Sequence, residues 1–246
     1  LHLSHFKPVS HTIHNLNNDY NLLVPQSFQR LGWLGLVVVV ASLIWWLVSS
    51  SPYAVAGIVL GLLLVLPAVI TRFVTRAFLK RRLRIRDGIV AHAALRGDEQ
   101  ILDVGVGSGI TLFGVAKHLT TGKGVGIDIY DPNAGGGTPD IFWKNAHREG
   151  VADRVELKNM DVRKMSFPDE SFDLVVSTLA FHHVGDGESR RKAAQEIVRV
   201  LKPGGKVMVY DMGIALNELE QVMRASGLTV HRHGKPVSIL MGEKSA

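Results

Sequence analysis

The sequence of 246 residues predicts an α/β protein: a doubly wound sheet of mostly parallel strands, preceded by two transmembrane helices. Three observations carry this expectation. Residues 31–71 contain no charged side chain. From residue 99 onward short apolar runs alternate with amphipathic stretches of helical length, as in a sheet covered on both faces. A glycine-rich turn at residues 105–109 joins the first strand to the first helix, where sheets of this kind receive ligands.

Composition narrows the function. Hydrophobic residues make up 46% of the chain, which excludes disorder over most of it. With no cysteine there is no disulfide framework, cysteine-ligated zinc site or thiol nucleophile. The net charge of +6 is local: Arg72, Arg76, Lys80, Arg81, Arg82, Arg84 and Arg86 follow the uncharged stretch with no acid among them. Without those seven, 21 bases face 22 acids, so no nucleic-acid-binding face is expected.

The first structural element expected is a membrane hairpin over residues 31–71. Residues 31–48 span about 27 Å as a helix, enough for a bilayer core. Residues 53–71 repeat the pattern, and Ser49, Ser50, Ser51 and Pro52 form the turn between them. Trp33 lies toward one end of the pair and Trp45, Trp46 and Tyr53 toward the other, as interfacial aromatic belts do. The seven bases after the second span place the following domain on the cytoplasmic side, and the serine turn outside. Ala54-Val55-Ala56 resembles a signal-peptidase site, but cleavage there leaves the second apolar run and its bases without a purpose. Residues 1–30 read as a polar tail. Its pairs His2/His5 and His11/His14 have no acidic or thiol partner spaced to complete a metal site, and none is expected. Residues 72–97 read as a basic juxtamembrane linker with a helix over 81–95.

Residues 98–246 form the folded domain. Strands are expected at 100–104, 124–129, 155–159, 172–177, 206–211, 228–232 and 236–241. Helices are expected at 110–118, 141–149, 189–201 and 215–225, the third stopped by Pro203-Gly204-Gly205.

The chemistry gathers just past the strands. In Asp103-Val104-Gly105-Val106-Gly107-Ser108-Gly109 the glycines allow positive φ and close approach of backbone to ligand. The dinucleotide fingerprint wants its third glycine where Ile110 stands. The D-x-G-x-G-x-G pattern instead resembles motif I of the class I S-adenosylmethionine-dependent methyltransferases. Asp128 and Asp161 follow the second and third strands. Phe167-Pro168-Asp169-Glu170-Ser171-Phe172-Asp173 and then Leu201-Lys202-Pro203-Gly204-Gly205 resemble the ubiquinone/menaquinone and sterol methyltransferase branch.

This resemblance implies a Rossmann-like sheet of seven strands with the last antiparallel, and S-adenosyl-L-methionine as cofactor. It implies that Asp103, Gly105, Gly107, Gly109 and Ser177 bind the cofactor, with the Gly105–Gly109 loop at its methionine end and Asp128 at the ribose hydroxyls. Asp161 with the Val162 amide would select adenine, and Ile129 would pack on the ring. The fourth strand runs into Phe181-His182-His183, which faces the acceptor in the family. Either histidine serves as a base or orients the acceptor, and His183 is the first choice. No N/D-P-P-Y/F motif for nucleic-acid amine methylation is present there. Residues 131–140 (DPNAGGGTPD) depart from the family as an inserted glycine-rich loop.

Together these readings predict a membrane-anchored methyltransferase for a small, lipophilic acceptor such as a quinone, isoprenoid or lipid. Its partners would be that acceptor and the lipid bilayer. An NAD(P)-dependent oxidoreductase is the alternative, but none of the four tyrosines is followed four residues later by lysine. A cofactor-binding membrane scaffold without catalysis is a third reading.

Overall fold

The structure of the chain, a computed structural model, describes residue 20 and residues 26–131, 137–234 and 237–245. Both histidine pairs of the polar tail lie outside the described residues, as do the centre of the inserted loop (132–136) and Lys235 of the last turn. The chain forms two compact units. One ends at Arg81; the other takes in Tyr20 and everything from Arg82 onward.

The first unit consists of helix α1 (Gln26–Ser49) and helix α2 (Tyr53–Ala93) up to Arg81. Both helices are long and apolar enough to cross a membrane, judged by length and composition. They approach through small residues. A Cβ on Gly61 would lie 2.8 Å from the Gly35 carbonyl oxygen, and one on Gly57 would lie 2.3 Å from Ser42 Oγ. Pro67 is accommodated within α2, where Thr71 Oγ1 donates to the Pro67 carbonyl at 2.7 Å.

Helix α2 carries the second apolar stretch and the basic stretch after it as one helix. It continues without interruption to Ala93, because the basic stretch is made of good helix formers with no glycine or proline before Gly88. Its last turns belong with the sheet, burying Leu83, Ile85, Ile89 and Ala93.

The second unit is built on one sheet. Its strands are β1 (Gln100–Val104), β2 (Lys123–Asp128), β3 (Val155–Asn159), β4 (Phe172–Thr178), β5 (Leu201–Met212), β6 (Thr229–His233) and β7 (Val237–Glu243). They stand in the order β3-β2-β1-β4-β5-β7-β6. The first five are parallel, while β7 runs antiparallel to both neighbours. This is the mixed seven-stranded sheet expected, with the last strand antiparallel. Its order reverses between β1 and β4, the place where sheets of this kind receive ligands, at the strands' carboxyl ends.

Helices α3 (Ile110–Ala116) and α4 (Pro139–Arg148) cover one face with residues 82–93 of α2, while α5 (Gly187–Val200) and α6 (Asn217–Ala225) cover the other. Alternation along β1 sends Leu102 and Val104 into the core with Ala194, Ile197 and Leu219 of α5 and α6. It sends Ile101 and Asp103 toward α3. Gly124 makes room on that side, since a Cβ there would lie 2.8 Å from Leu112 of α3. Caps define two of the helices: Thr138 accepts from the Ile141 amide ahead of α4, and Asp186 from the Ser189 amide ahead of α5. β5 starts earlier than expected, since Leu201 already pairs with Phe172 and the Pro203-Gly204-Gly205 stretch forms an irregularity within the strand.

Candidate active site at the carboxyl ends of the strands

The glycine loop leaves β1 and turns back over β2. Gly105, Gly107 and Gly109 have φ of 70°, 50° and 89°, the left-handed region that a side chain disfavours. The Ile127 carbonyl accepts from the amides of Gly105 (2.9 Å) and Val106 (3.1 Å). Asp128, at the end of β2, accepts from the Gly107 amide on Oδ2 (2.9 Å) and from the Tyr130 amide on Oδ1 (2.8 Å). The Tyr130 hydroxyl donates to the Gly107 carbonyl at 3.2 Å, and Asn145 Nδ2 on α4 donates to the Ser108 carbonyl at 3.1 Å. Loop, β2 and α4 are thus laced together, with Asp128 oriented by two backbone donors. Tyr130 and Asn145 carry no motif and were not anticipated.

Two expected cofactor residues lie beneath this loop. Asp103 is 1% exposed; it accepts from the Leu112 amide in the first turn of α3, while its Oδ2 is buried without a partner. Burial pushes its pKa up to about 8; the Leu112 hydrogen bond and the nearby Arg82 oppose that rise and the charge of Asp128 adds to it. Ser177 has no exposed surface, and its hydroxyl donates to the Val104 carbonyl at 2.8 Å. Ser177 thus ties β4 to β1 below the loop.

The expected adenine-side residues group at the ends of β2 and β3. Ile129 is 53% exposed, Val162 is buried, and the Met160 amide donates to the Asp128 carbonyl at 3.2 Å. Asp161 accepts from the Arg163 amide (2.8 Å) and from its guanidinium, which holds its carboxyl below the usual range. It therefore caps the turn that follows β3.

The acceptor side is set by the two histidines. They occupy a 3-10 turn, Phe181–His183, directly after β4. His182 Nδ1 lies 2.7 Å from Asp211 Oδ1 at the end of β5, and the amides of His182 (3.2 Å) and Met212 (2.6 Å) donate to the same carboxylate. Asp211 is fully buried. A carboxylate only accepts, so Nδ1 is the donor to Asp211. His183 stacks beside it with ring centroids 3.9 Å apart, and partial desolvation followed by the neighbouring ring lowers its pKa. His182, not His183, has the carboxylate partner. Sequence reading missed Asp211 because it closes an apolar strand 29 residues from its histidine.

The histidine turn and the glycine loop touch. A Cβ placed on Gly105 would lie 2.2 Å from Ala180 Cβ, so the residue just before Phe181-His182-His183 sits on the glycine loop. Comparison with known proteins bears on this constellation directly. Residues 102–209 match the profile of a family described as a methyltransferase domain. Over this stretch the chain is similar to methyltransferase domains. The cofactor it implies is S-adenosylmethionine. The residues fit such a ligand: positive-φ glycines open the backbone, Asp128 is pre-oriented, and a buried carboxylate oxygen beside a guanidinium lacks a partner.

Among relatives, the chain is 32% identical over 123 residues to a demethylmenaquinone methyltransferase of Symbiobacterium thermophilum, covering 50% of this chain and 46% of that one. It is 29% identical over 131 residues to a 27-O-demethylrifamycin SV methyltransferase of Amycolatopsis mediterranei, covering 52% and 44%. The chain spans about half the length of the curated relatives it matches. In fold it is similar to the crystal structure of the YcgJ protein of Bacillus subtilis (TM-score 0.54, 17% identity), covering 68% of this chain and 99% of that one.

Proposed function

We propose that this protein is a membrane-anchored, S-adenosylmethionine-dependent methyltransferase that methylates an oxygen of a small lipophilic acceptor, of quinone, isoprenoid or lipid type. The observation that carries this reading is the His182–Asp211 pair, seated through Ala180 on the glycine loop.

S-adenosylmethionine, when bound, supplies a methyl group on a positively charged sulfur. The Gly105–Gly109 loop and Asp103 serve its methionine end, Asp128 its ribose, and Ile129, Asp161 and Val162 its adenine. What remains for the protein is to align the acceptor and to remove its proton. His182 Nε2 would take the acceptor's hydroxyl proton, while the bound cofactor would supply the methyl group to that oxygen. Asp211 holds the ring in the tautomer that leaves Nε2 free, and steadies the imidazolium that results.

The lipophilic acceptor rests on two supports besides the relatives' names. Met212 and Ile214, directly after Asp211, are 43% and 78% exposed, giving the acceptor side an apolar rim. Helices α1 and α2 have the length and composition of membrane spans. In this reading the base-rich stretch from Arg72 keeps the domain on the cytoplasmic side.

The test uses the full chain in lipid nanodiscs with methyl-labelled S-adenosylmethionine and paired hydroquinones, with and without an isoprenoid tail. Transfer to the tailed hydroquinone oxygen, lost in His182→Ala, is expected. Transfer only to water-soluble amines, or transfer indifferent to His182→Ala, overturns the reading. Thermal unfolding checks the cofactor separately: S-adenosylhomocysteine at 100 times its Kd adds about 2.7 kcal/mol of stability, and NAD adds none. Retention in the membrane pellet after high-salt and carbonate washing is the outcome expected for the anchor.

A further inference from the structure

Helix α2 turns cationic where its uncharged stretch ends at Thr71. Arg72, Arg76 and Lys80 are all exposed. Four residues advance an α-helix by one turn and about 40°, so these side chains form a stripe within about 80° of the helix circumference. No acid stands in residues 20–86, so neither helix of the hairpin can neutralise the stripe. The described residues form no ion pair with it.

Distance decides what the stripe can reach. A hydrocarbon core of about 30 Å inside a bilayer of about 40–45 Å leaves about 5–8 Å of headgroup on each side. At about 1.5 Å per residue, an upright α2 puts Arg72 about 1.5 Å and Arg76 about 7.5 Å past Thr71, inside that layer. Lys80 stands about 13.5 Å past it, beyond the headgroups yet within a Debye length (~8 Å) of their outer edge. Arg72 and Arg76 are about 6 Å apart, near enough to share one phosphate between two guanidinium forks. Phe73 and Val74, 73% and 62% exposed, set apolar groups in the same turn. That mixture suits the boundary between acyl chains and headgroups, and not a ligand dissolved in water.

We propose that Arg72 and Arg76 bind the phosphate of an anionic phospholipid in the leaflet where α2 leaves the hydrocarbon, with Lys80 drawing such lipids in from the aqueous side. This inference rests on the reading of α1 and α2 as membrane spans. It goes beyond that reading by assigning the bases a ligand, where orientation alone needs only their sign.

For the experiment the full chain is placed in nanodiscs of phosphatidylcholine and phosphatidylglycerol in equal amounts with matched acyl chains. Native mass spectrometry then counts the lipids that stay bound. Each base at an anionic surface favours it by about fivefold, so the wild type is expected to retain phosphatidylglycerol over phosphatidylcholine by about 25-fold through its two contacting arginines. Arg72→Gln and Arg76→Gln should each lower that ratio about fivefold, and the double variant should bring it within about twofold of one. Lys80→Gln should lower it by less than about threefold, and only at low salt, because Lys80 acts through the screened field. Equal recovery in nanodiscs and unchanged circular dichroism certify the fold of each variant. A wild-type ratio near one, or a ratio unmoved in the double variant, overturns the proposal. A preference that millimolar inorganic phosphate abolishes at constant ionic strength marks a site for free anions and overturns it as well. A chain that never enters the nanodiscs sinks the membrane reading and this proposal with it, a result told apart from the others because no lipid of either kind is then bound.

Discussion

Asp211 Oδ1 and His182 Nδ1 lie 2.7 Å apart, joining the end of β5 to the turn after β4. Because two backbone amides also donate to this carboxylate, it is fixed before the imidazole meets it. Nitrogen-15 chemical shifts should therefore show His182 as the Nδ1–H tautomer in the wild type and as a mixture in Asp211→Asn. With a hydroxyl acceptor, Asp211→Asn and His182→Ala should each lower kcat by 10²-fold or more, the order of general-base contributions. His183→Ala should cost less than about tenfold, having no carboxylate partner to lose.

Asp128 has two duties, and both are measurable. Asp128→Ala removes a candidate acceptor for the ribose hydroxyls and also the acceptor for the Gly107 and Tyr130 amides. Calorimetry with S-adenosylhomocysteine should show affinity reduced about tenfold or more. Near-normal affinity would falsify the ribose assignment.

Burial of Asp103 makes stability depend on pH. Its folded pKa of about 8 stands above the ordinary carboxylate value, so the folded chain keeps a proton that the unfolded chain releases. Between pH 4 and 8 the wild type should lose stability relative to Asp103→Asn as pH rises, with the difference constant above 8. Urea unfolding at pH 5, 6.5 and 8 measures this, and a gap that narrows with rising pH contradicts the assignment.

Gly105 is held by conformation and by space. With φ at 70° and Ala180 Cβ 2.2 Å from where a Cβ would sit, Gly105→Ala must strain the backbone and push the histidine turn away. A loss of about 1–2 kcal/mol from the left-handed backbone alone is expected in thermal unfolding. Activity should fall further than stability, since the displaced turn carries His182.

Much of this was legible from the residues. Strand β1 at Gln100–Val104 and β3 at Val155–Asn159 fall where their apolar runs end at glycine, asparagine or aspartate. The glycine loop and Asp128 were marked by spacing. The missed features depend on relations that spacing does not encode. His182 and His183 are chemically alike neighbours, and only the turn between β4 and α5 decides which of them meets Asp211.

Asp211 lies near the end of β5, two residues past the stretch 102–209 that matches the methyltransferase profile. It stands where β5 pairs with β7, Asp211 lying opposite Ser238 in the antiparallel register. A chimera that grafts residues 102–209 into another protein of this family would carry the cofactor loop and both histidines yet inherit its host's residue at the position of Asp211. Such hybrids should keep their grip on the nucleoside while adopting the host's capacity to deprotonate, so that the common core governs what is held and the flanking hairpin governs what is done with it.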